Sequence, residues 1–271
     1  MIKKPLFSIV IVNYNYGKFL KQAIESVINQ KFNNYELIII DGGSTDDSVD
    51  IIKSFESHIS YWISEKDNGQ SDAFNKGFSK ANGEFYFWLN ADDILMPNSL
   101  INISNYLNKD NKCKWIAANT VFFNEDNEIL RCRRGIKWKD FLIKQGPIYV
   151  YGPSTIFHKE LYNKANGFDE GLYYTMDTDL WMRFSNLGYK FYRLPKYVWG
   201  LRIHNESKTS HAFTNMANPK FEKERLYIQS KNNWTYKSQK IIFQKIYKIL
   251  SGTYLFSYID TLNYKNTKLQ K

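Results

Sequence analysis

A repeating unit in the first part of the sequence most strongly constrains how this 271-residue chain can fold. Each unit is a short apolar run that ends in polar residues and leads into a segment with helical spacing of its apolar residues. The apolar runs predict strands at Phe7–Asn13, Tyr35–Asp41, His58–Ser64 and Glu84–Asn90. The intervening patterns predict helices at Gly17–Gln30, Asp46–Phe55 and Ser71–Ala81. Strands and helices that alternate in this way pair in parallel through right-handed crossovers.

The rest of the sequence predicts further elements around this sheet. They are a helix at Pro97–Leu107, a hairpin of Lys114–Phe123 and Glu128–Arg133, a helix at Asp177–Leu187, and strands at Lys190–Arg193 and Tyr197–Ile203. Near-continuous apolar strands are typical of a sheet that is covered on both faces. We therefore expect an α/β fold with a mainly parallel central sheet flanked by helices.

The charge of the chain is unevenly distributed. The whole chain carries a net charge of +10, and residues 220–271 contribute +8 through 11 Lys or Arg against 3 Asp or Glu. Charge alone favours an anionic partner such as nucleic acid, anionic lipid or nucleotide phosphate. We expect residues 220–271 to form a basic, amphipathic helical extension of a domain that spans residues 1–219.

Lys237–Leu250 is the clearest helix of this extension. One face of the helix carries most of its lysines, and the other carries Ile242, Phe243, Ile246, Tyr247, Ile249 and Leu250. Two interpretations stay open at this point. A basic amphipathic helix can lie on an anionic membrane surface, or it can pack its apolar face on the domain and leave its lysines in water.

Cysteine content and hydropathy indicate where the protein works. Cys113 and Cys132 have no metal-binding or disulfide spacing, and two free thiols fit a reducing cytoplasm. The apolar run in Pro5–Val12 is too short for a signal peptide, and no stretch approaches the roughly 18 apolar residues of a membrane span. We expect a soluble cytoplasmic protein, or a peripheral one on the inner face of the cell membrane.

The motif Asn90-Ala91-Asp92-Asp93 follows the apolar run Phe85–Leu89 of a predicted strand. Adjacent carboxylates at the end of a buried strand can hold Mg²⁺ or Mn²⁺ and leave coordination positions open for phosphate oxygens. Such a metal neutralises the charge that develops on a leaving diphosphate. The alternative interpretation is a solvated turn or a helix cap before Pro97.

Two further segments predict nucleotide contacts. In Asp41-Gly42-Gly43-Ser44 the glycines permit a close approach of ligand to backbone, and Asp41 can accept a hydrogen bond from the imide N–H of a uracil. Ser44 or Thr45 would cap the following helix. The segment 65–77 can contact the nucleotide through Asp67, Asn68 and Asp72, and its alternative interpretation is a solvated loop.

Asp177 and His204 are the other candidates for chemistry. A carboxylate at a helix start can act as a general base on a hydroxyl, although acids at this position also stabilise helices through the dipole. His204 follows a predicted strand and precedes the polar loop Asn205–Ser210, where it can be a metal or diphosphate ligand or a structural residue.

These motifs, in their order and spacing, resemble those of the family 2 glycosyltransferases, which are inverting enzymes with the GT-A fold. The resemblance runs from Phe7 to about Ser210 and is nearest to bacterial members that build surface polysaccharides. The motifs that carry it are 8–15 (SIVIVNYN), 41–46 (DGGSTD), 64–77, 90–93 (NADD), 167–170 (GFDE) and 176–183 (MDTDLWMR). Met176 stands where the family often has Glu, and Asn90 stands where its metal motif usually begins with Asp.

The resemblance implies roles for individual residues. Asp92 and His204 would bind the metal, Mn²⁺ or Mg²⁺, and Asp177 would be the catalytic base. Donor binding would involve Asn13, Tyr14, Asn15, Asp41, Asp67, Asn68, Asp72, Asn90 and Asp93. The reaction it implies is the transfer of a sugar, with inversion, from a UDP-sugar to a hydroxyl of a glycan or a lipid-linked glycan.

Other protein classes fit the sequence less well. A non-catalytic nucleic-acid-binding protein is disfavoured because the basic residues concentrate in the last segment and the aromatic residues lie in core-like runs, so no nucleic acid partner is expected. A nucleotidyltransferase usually has a phosphate-cradling, Gly-rich loop after its first strand, where this chain has Asn13–Gly17. No Gly-x-Gly-x-x-Gly motif of a dinucleotide-binding fold follows that strand either.

Overall fold

The computed structural model describes residues 4–110, 112–148, 150–207, 218–265 and 267–269. These residues form one nine-stranded sheet, and its strands are β1 (Phe7–Asn13), β2 (Tyr35–Asp41), β3 (Tyr61–Ser64), β4 (Phe85–Asn90), β5 (Ile94–Leu95), β6 (Trp115–Phe123), β7 (Ile129–Arg133), β8 (Thr155–His158) and β9 (Tyr192–Arg202). Ser210, the end of both the family resemblance and the predicted polar loop, lies outside the described residues. That loop is described only as far as Ser207.

The helices of the described residues lie around this sheet. They are α1 (Gly17–Ile28), α2 (Ser48–Ser54), α3 (Gln70–Ser79), α4 (Ser99–Leu107), α5 (Asp140–Ile143), α6 (Lys159–Lys164), α7 (Met176–Asn186), α8 (Pro219–Lys231), α9 (Ser238–Leu250) and α10 (Thr253–Tyr264). None of them, within the described residues, has the length and hydropathy that crossing a bilayer requires.

The sheet has a parallel half and a mixed half. Strands β3, β2, β1 and β4 lie side by side and pair in parallel. Beyond β4 the pairing is mixed, because β8 is antiparallel to both β4 and β6, β9 is parallel to β6, and β5 is antiparallel to β9. Strand β7 forms the predicted hairpin with β6. The parallel half is the part built from the repeating strand and helix units of the sequence.

Two cores cover the two faces of the sheet. Val10 and Val12 of β1 belong to a core with residues of α3 and α7, whereas Ile9 and Ile11 belong to a second core with residues of α1 and α4. Successive side chains of a strand point to opposite faces. A strand that is apolar at every position is therefore buried on both sides, as the sequence predicted.

The structure corrects three details of the predicted elements. The third strand begins only at Tyr61, because residues 56–58 form a 3₁₀ turn. The two predicted strands near residues 190–203 are one strand, β9, whose pairing with β6 shifts register around Pro195, a residue that has no N–H to donate. Helix α2 begins at Ser48 without a side-chain cap, because the Ser44 side chain instead bonds to Asp41.

The predicted helix of Lys237–Leu250 is present as α9, but its orientation contradicts one of the two interpretations. Ile242, Phe243, Ile246, Ile249 and Leu250 are exposed, and of the six predicted apolar-face residues only Tyr247 packs against the core. The interpretation in which this apolar face packs on the domain is therefore wrong. The residue that α9 buries most completely is Gln244, a polar one.

Candidate active site

Three adjacent strands of the parallel half end in polar residues at one edge of the sheet. Asn13, at the end of β1, is in register with Asp41 at the end of β2, and Val12 is in register with Asn90 at the end of β4. The structure thus brings these side chains together, as the sequence predicted. Ligands of open α/β sheets bind where the carboxyl ends of parallel strands meet, which makes this edge the candidate active site.

Asp41 is completely buried, and both oxygens of its carboxylate are bonded within the protein. Oδ1 accepts hydrogen bonds from Asn13 Nδ2 at 2.7 Å and Ser44 Oγ at 2.6 Å. Oδ2 accepts from Ser64 Oγ at 2.6 Å and the Ser44 N–H at 2.9 Å. Burial raises the pKa of Asp41, but these hydrogen bonds outweigh it and hold the pKa below its usual value. Direct contact with a uracil imide would require exchange of one of these bonds.

Asn13 offers an acceptor that Asp41 does not. Its Nδ2 donates to Asp41 and, at 3.1 Å, to Ser44 Oγ. Its Oδ1 is buried and has no hydrogen-bond partner in the described part of the chain. A buried acceptor without a partner is costly, so this oxygen is available for a donor group of a ligand.

The loops after β1 and β2 expose an aromatic ring beside a glycine. Tyr14 is 59% exposed. A Cβ added to Gly42 would lie 2.5 Å from Asp67 Oδ2 and 3.3 Å from Tyr14 Cδ2, so a larger residue at this position would require the Asp67 side chain to move. Asn15 Oδ1 accepts a hydrogen bond from the Thr45 N–H at 2.8 Å, and Asn15 therefore ties the two loops together.

The segment before α3 is held by its own carboxylates. The Gly69 N–H donates to Asp67 Oδ1 at 2.9 Å, and the Asn68 N–H donates to Asp72 Oδ2 at 2.8 Å. Asp72 is buried, whereas Asn68 is exposed and Asp67 is half-buried. Of the three predicted nucleotide contacts, Asn68 and Asp67 are accessible, and Asp72 fixes the shape of the loop.

The two carboxylates of the turn after β4 differ in burial and in their hydrogen-bond partners. Asp93 is buried, where its Oδ1 accepts from the Arg202 N–H at 3.0 Å and its Oδ2 accepts from Asn90 Nδ2 at 2.8 Å. Burial, followed by the charge of Asp92, raises the pKa of Asp93 well above its usual value. Asn90 Oδ1 in turn accepts from Gln70 Nε2 at 2.9 Å. Asp93 and Asn90 thus hold the turn, and Asp92 is the more accessible carboxylate.

Asp92 and His204 meet across the edge of the sheet. His204 Nε2 lies 3.0 Å from Asp92 Oδ2, although the residues are 112 positions apart in the chain. The imidazole is buried, with ring centroids 5.7 Å from Tyr16 and 4.8 Å from Phe19. The segment after strand β9 therefore places a fixed imidazole nitrogen beside the carboxylate that follows β4.

This pair fits a divalent cation shared with a diphosphate. Mg²⁺ and related ions are commonly held by one or two protein groups, with phosphate oxygens and water completing the coordination. Asp92 and His204 supply one carboxylate and one imidazole at a single point. Within the described residues there is no cluster of three or more His, Cys, Asp or Glu that could hold a metal by itself.

Arg202 is a residue of this site to which the sequence assigned no role. Its guanidinium is buried between the rings of Phe19 and Phe123, at 4.8 and 4.4 Å from their centroids. Nε donates to the Asp92 carbonyl at 2.8 Å, and Nη2 donates to Gln22 Oε1 at 2.5 Å. The available signal was an arginine directly after the apolar run Tyr197–Leu201, because a guanidinium is costly to bury unless it is bonded.

Asp177 lies in the first turn of α7, near strand β4, which leads to Asp92. The Thr178 N–H donates to its Oδ1 at 2.6 Å. A Cβ added to Gly152 would lie 3.4 Å from Asp177 Oδ2 and 2.6 Å from Trp88 Cζ2, so the Gly152 backbone is adjacent to both side chains. Trp88 belongs to β4, four residues before Asp92.

The start of α3 connects the turn after β4 to the start of α7. Gln70 Nε2 donates to Asn90, as described above, and the neighbouring Ser71 Oγ donates to the Leu172 carbonyl at 3.2 Å. Ser71 also contacts Met176 Sδ at 3.2 Å. Neither residue was singled out from the sequence, because their role depends on contacts with segments up to 105 positions away.

Tyr16 is another residue of the site that no motif indicated. Burial, and then the negative charge of Asp92, raise the pKa of Tyr16 to about 12. Its hydroxyl donates to the Glu206 carbonyl at 3.2 Å. Tyr16 therefore stays neutral at physiological pH and joins the loop after β1 to the loop after β9.

The comparisons with known proteins agree with this geometry. The model of glycosyl transferase family 2 matches residues 8–165. An uncharacterized glycosyltransferase of Rickettsia prowazekii is 30% identical over 223 residues, which are 79% of this chain and 69% of that protein. The family match disfavours the nucleic-acid-binding and nucleotidyltransferase alternatives.

Solved structures show the same fold. TarS of S. aureus in complex with UDP-GlcNAc matches with a TM-score of 0.60 and 16% identity over 75% of this chain and 60% of that chain. The mannosyltransferase PcManGT from Pyrobaculum calidifontis, in complex with GDP-Man and Mn²⁺, matches with a TM-score of 0.59 and 16% identity over 78% of this chain and 60% of that chain. Together with the family match, these similarities identify the chain as a glycosyltransferase with the GT-A fold, and it belongs to glycosyl transferase family 2.

Proposed function

We propose that this protein transfers a sugar, with inversion, from a UDP-sugar to a hydroxyl of a glycan or a lipid-linked glycan, and that it requires a divalent metal. The observation that carries the proposal is the contact of Asp92 with His204 at the strand edge that also bears Asn13 and Asp41. A pair of side chains that can hold a cation, next to polar groups that can bind a base, suits a nucleoside diphosphate. The site with Asp177 belongs to the predicted domain of residues 1–219.

Support for a uracil base comes from the loops after β1 and β2. Tyr14 offers an exposed ring on which a base can stack, and the unpartnered Oδ1 of Asn13 suits the imide N–H of uracil. Asp41 then acts mainly by holding Asn13 in place, and Asp67 and Asn68 lie on the accessible side of the neighbouring loop. The complex of TarS with UDP-GlcNAc supports the same class of donor.

The chemistry is a direct displacement at the anomeric carbon. Mn²⁺ or Mg²⁺ held by Asp92 and His204 would neutralise the charge of the leaving diphosphate, and the Mn²⁺ complex of PcManGT supports this assignment. The acceptor hydroxyl gives its proton to Asp177 while its oxygen bonds to the anomeric carbon. The bond to the diphosphate oxygen breaks, and the electron pair leaves with the diphosphate. Attack from the opposite face inverts the configuration, and general-base help contributes about 10²–10⁴-fold.

The proposal also includes the cellular location of the enzyme. Two free, buried cysteines fit a reducing cytoplasm, and a lipid-linked acceptor would place the enzyme at the inner face of a membrane. The basic helices of residues 220–271 are the proposed means of attachment. In this arrangement the acceptor reaches the site from the lipid surface, and the nucleotide-sugar reaches it from solution.

Thermal unfolding with UDP, GDP and dTDP, each with and without Mn²⁺, tests the donor and metal assignments. A ligand at 100 times its dissociation constant stabilises a protein by about 2.7 kcal/mol. We expect a rise in melting temperature with UDP that needs Mn²⁺ and is lost in Asp92→Ala. Asp50→Ala, at an exposed site on α2, is the matched control and should keep the rise. A rise with GDP alone would overturn the uracil assignment, and no rise with any nucleotide would overturn the donor site.

A further inference from the structure

Helices α9 and α10 contact the rest of the protein through polar side chains. On α9, Gln244 is 1% exposed, and its Nε2 donates to the carbonyls of Leu142 at 2.8 Å and Pro147 at 2.9 Å. Lys240 Nζ donates to the Phe141 carbonyl. The inward side of α9 therefore combines an amide and an ammonium group with the ring of Tyr247, whereas Ile242, Ile246 and Ile249 are exposed.

Helix α10 covers the hairpin strand β7 in the same way. The Cys132 N–H donates to Thr261 Oγ1 at 2.9 Å, and the Arg134 N–H donates to Ser257 Oγ at 3.0 Å. Asp260 forms a bidentate pair with the guanidinium of Arg134. These side chains bond N–H groups along and just beyond the outer edge of β7, where the Ile129 N–H also donates to the Thr267 carbonyl at 3.0 Å, and this explains why the polar face of α10 points inward.

The opposite sides of both helices expose apolar side chains to solvent. We call this surface the outer face of α9 and α10, and it consists of Ile242, Phe243, Ile246, Ile249, Leu250, Leu255, Tyr258, Ile259 and Leu262, each at least 40% exposed. The two helices contact each other and are joined by a turn at Ser251 and Gly252. Single exposed apolar residues are common, but this many on two consecutive helices indicate a binding surface.

The charges around the outer face indicate what it binds. Lys245 is exposed on α9, and Lys237, Lys265 and Lys268 are exposed at the two ends of the segment. The only acid of α9 and α10 is Asp260, which is buried in its pair with Arg134. A second copy of this face would bring lysines against lysines with no acid to pair them. An anionic surface pairs with these lysines and also accepts the apolar side chains.

We propose that the outer face of α9 and α10 lies on an anionic lipid bilayer, with its apolar side chains in the boundary between headgroups and acyl chains. A helix of this kind binds through buried apolar area together with attraction to anionic lipids. Lysines at the edge keep their ammonium groups among the phosphates while their methylene chains lie along the apolar surface. The purpose of the contact, access to a lipid-linked acceptor, rests on the proposed function, but the contact itself does not.

Vesicle co-sedimentation of the full chain tests the proposal. We expect the protein to sediment with vesicles of equal parts phosphatidylcholine and phosphatidylglycerol, much less with phosphatidylcholine alone, and less as salt screens the lysines. The double variant Ile246→Glu, Leu250→Glu should weaken binding at least about tenfold, because burial of each of these side chains contributes to affinity. Both positions are exposed, so the fold should tolerate the changes. Lys237→Glu with Lys245→Glu should weaken binding to the anionic vesicles only.

Ile101→Glu is the matched control, because Ile101 is an exposed apolar residue on α4. It should bind vesicles like the unchanged protein. The UDP-dependent rise in melting temperature, measured without vesicles, separates the two proposals, since it tests the donor site alone. Absence of vesicle binding by a protein that binds UDP would overturn the lipid proposal. Equal binding to neutral and anionic vesicles would also overturn it. So would a protein that is a dimer in solution, if the double variant dissociates the dimer but leaves vesicle binding unchanged.

Discussion

The buried carboxylate of Glu224 accepts hydrogen bonds from both the N–H and the hydroxyl of Thr175, at 3.2 and 3.3 Å. It also accepts from the N–H groups of Tyr173 and Tyr174 at 3.1 and 2.7 Å. Thr175 immediately precedes α7, and the first turn of α7 carries Asp177. A residue of α8 therefore fixes the loop that positions the proposed base.

Glu224→Gln should lower both stability and turnover. Hydrogen bonds to a charged acceptor are worth about 1.5–3 kcal/mol, and an amide keeps only one acceptor oxygen. We expect kcat to fall while the KM for the donor stays unchanged, because the donor-binding residues do not contact Glu224. Glu222→Gln, at an exposed position of the same helix paired with Arg225, is the control and should change neither quantity. A rise in the donor KM with unchanged kcat would contradict this positioning role.

Asp177 and Asp179 are two residues apart, but replacement by asparagine should mainly lower turnover at Asp177 and mainly lower stability at Asp179. Asp177→Asn should keep the UDP-dependent rise in melting temperature, lose most turnover and cost less than about 1 kcal/mol of stability. Undiminished transfer by this variant would refute the assignment of the base.

Asp179 is completely buried, and its carboxylate accepts from Arg183 Nε at 2.9 Å and from Asn232 Nδ2 at 2.8 Å. Removing one partner of a buried ion pair costs about 3–5 kcal/mol, so Asp179→Asn should destabilise the fold by an amount of that order. Urea unfolding compares the two variants directly. Equal stability losses would show that position 177 is also structural.

Arg202→Lys should weaken the proposed metal site without removing either of its two proposed ligands, Asp92 and His204. A lysine keeps the charge but cannot reproduce the several fixed directions in which the guanidinium donates, including the bond to the Asp92 carbonyl. We expect a loss of about 2–4 kcal/mol in stability and a smaller Mn²⁺-dependent shift with UDP. Arg225→Lys, at a partly exposed position, serves as the control. An unchanged Mn²⁺ dependence would show that Arg202 supports only the fold.

The attachment of α10 should depend on pH through Asp260. The hydrogen bond from Arg134 lowers the pKa of Asp260, and burial opposes this less strongly. A carboxyl with a depressed pKa stabilises the fold above its unfolded pKa, about 4, and this stabilisation is lost as pH falls through the folded pKa. The stability difference between the unchanged protein and Asp260→Asn should therefore be constant from neutral pH down to about 5 and shrink below about 4. A constant difference at all pH values would contradict this linkage.

Local patterns were enough to predict the parallel half of the sheet. The apolar run at Tyr35–Asp41 is a strand with the predicted bounds, as is the run at Phe7–Asn13. A residue that ends one parallel strand must lie near the residue that ends its neighbour. For this reason the sequence could also predict that Asn13, Asp41 and Asn90 share one edge.

The partners of individual side chains could not be predicted in this way. Ser44 could serve equally as a helix cap or as a partner of Asp41, and the choice depends on how deeply the loop after β2 is buried. The bonds of Arg202 to Gln22 and the Asp92 carbonyl join residues up to 180 positions apart. No local pattern reports such pairs.

The sequence by itself determined the strand and helix order of the parallel half and the polar residues at the ends of its strands, because apolar periodicity and chain order are local properties. Only the tertiary structure decided which face of an amphipathic helix turns inward. For α10 the N–H groups of Cys132 and Arg134 required hydrogen-bond acceptors, so Thr261 and Ser257 face them and the apolar side chains face outward. A buried N–H group without a partner costs free energy, and which helix face meets such groups depends on residues distant in the chain.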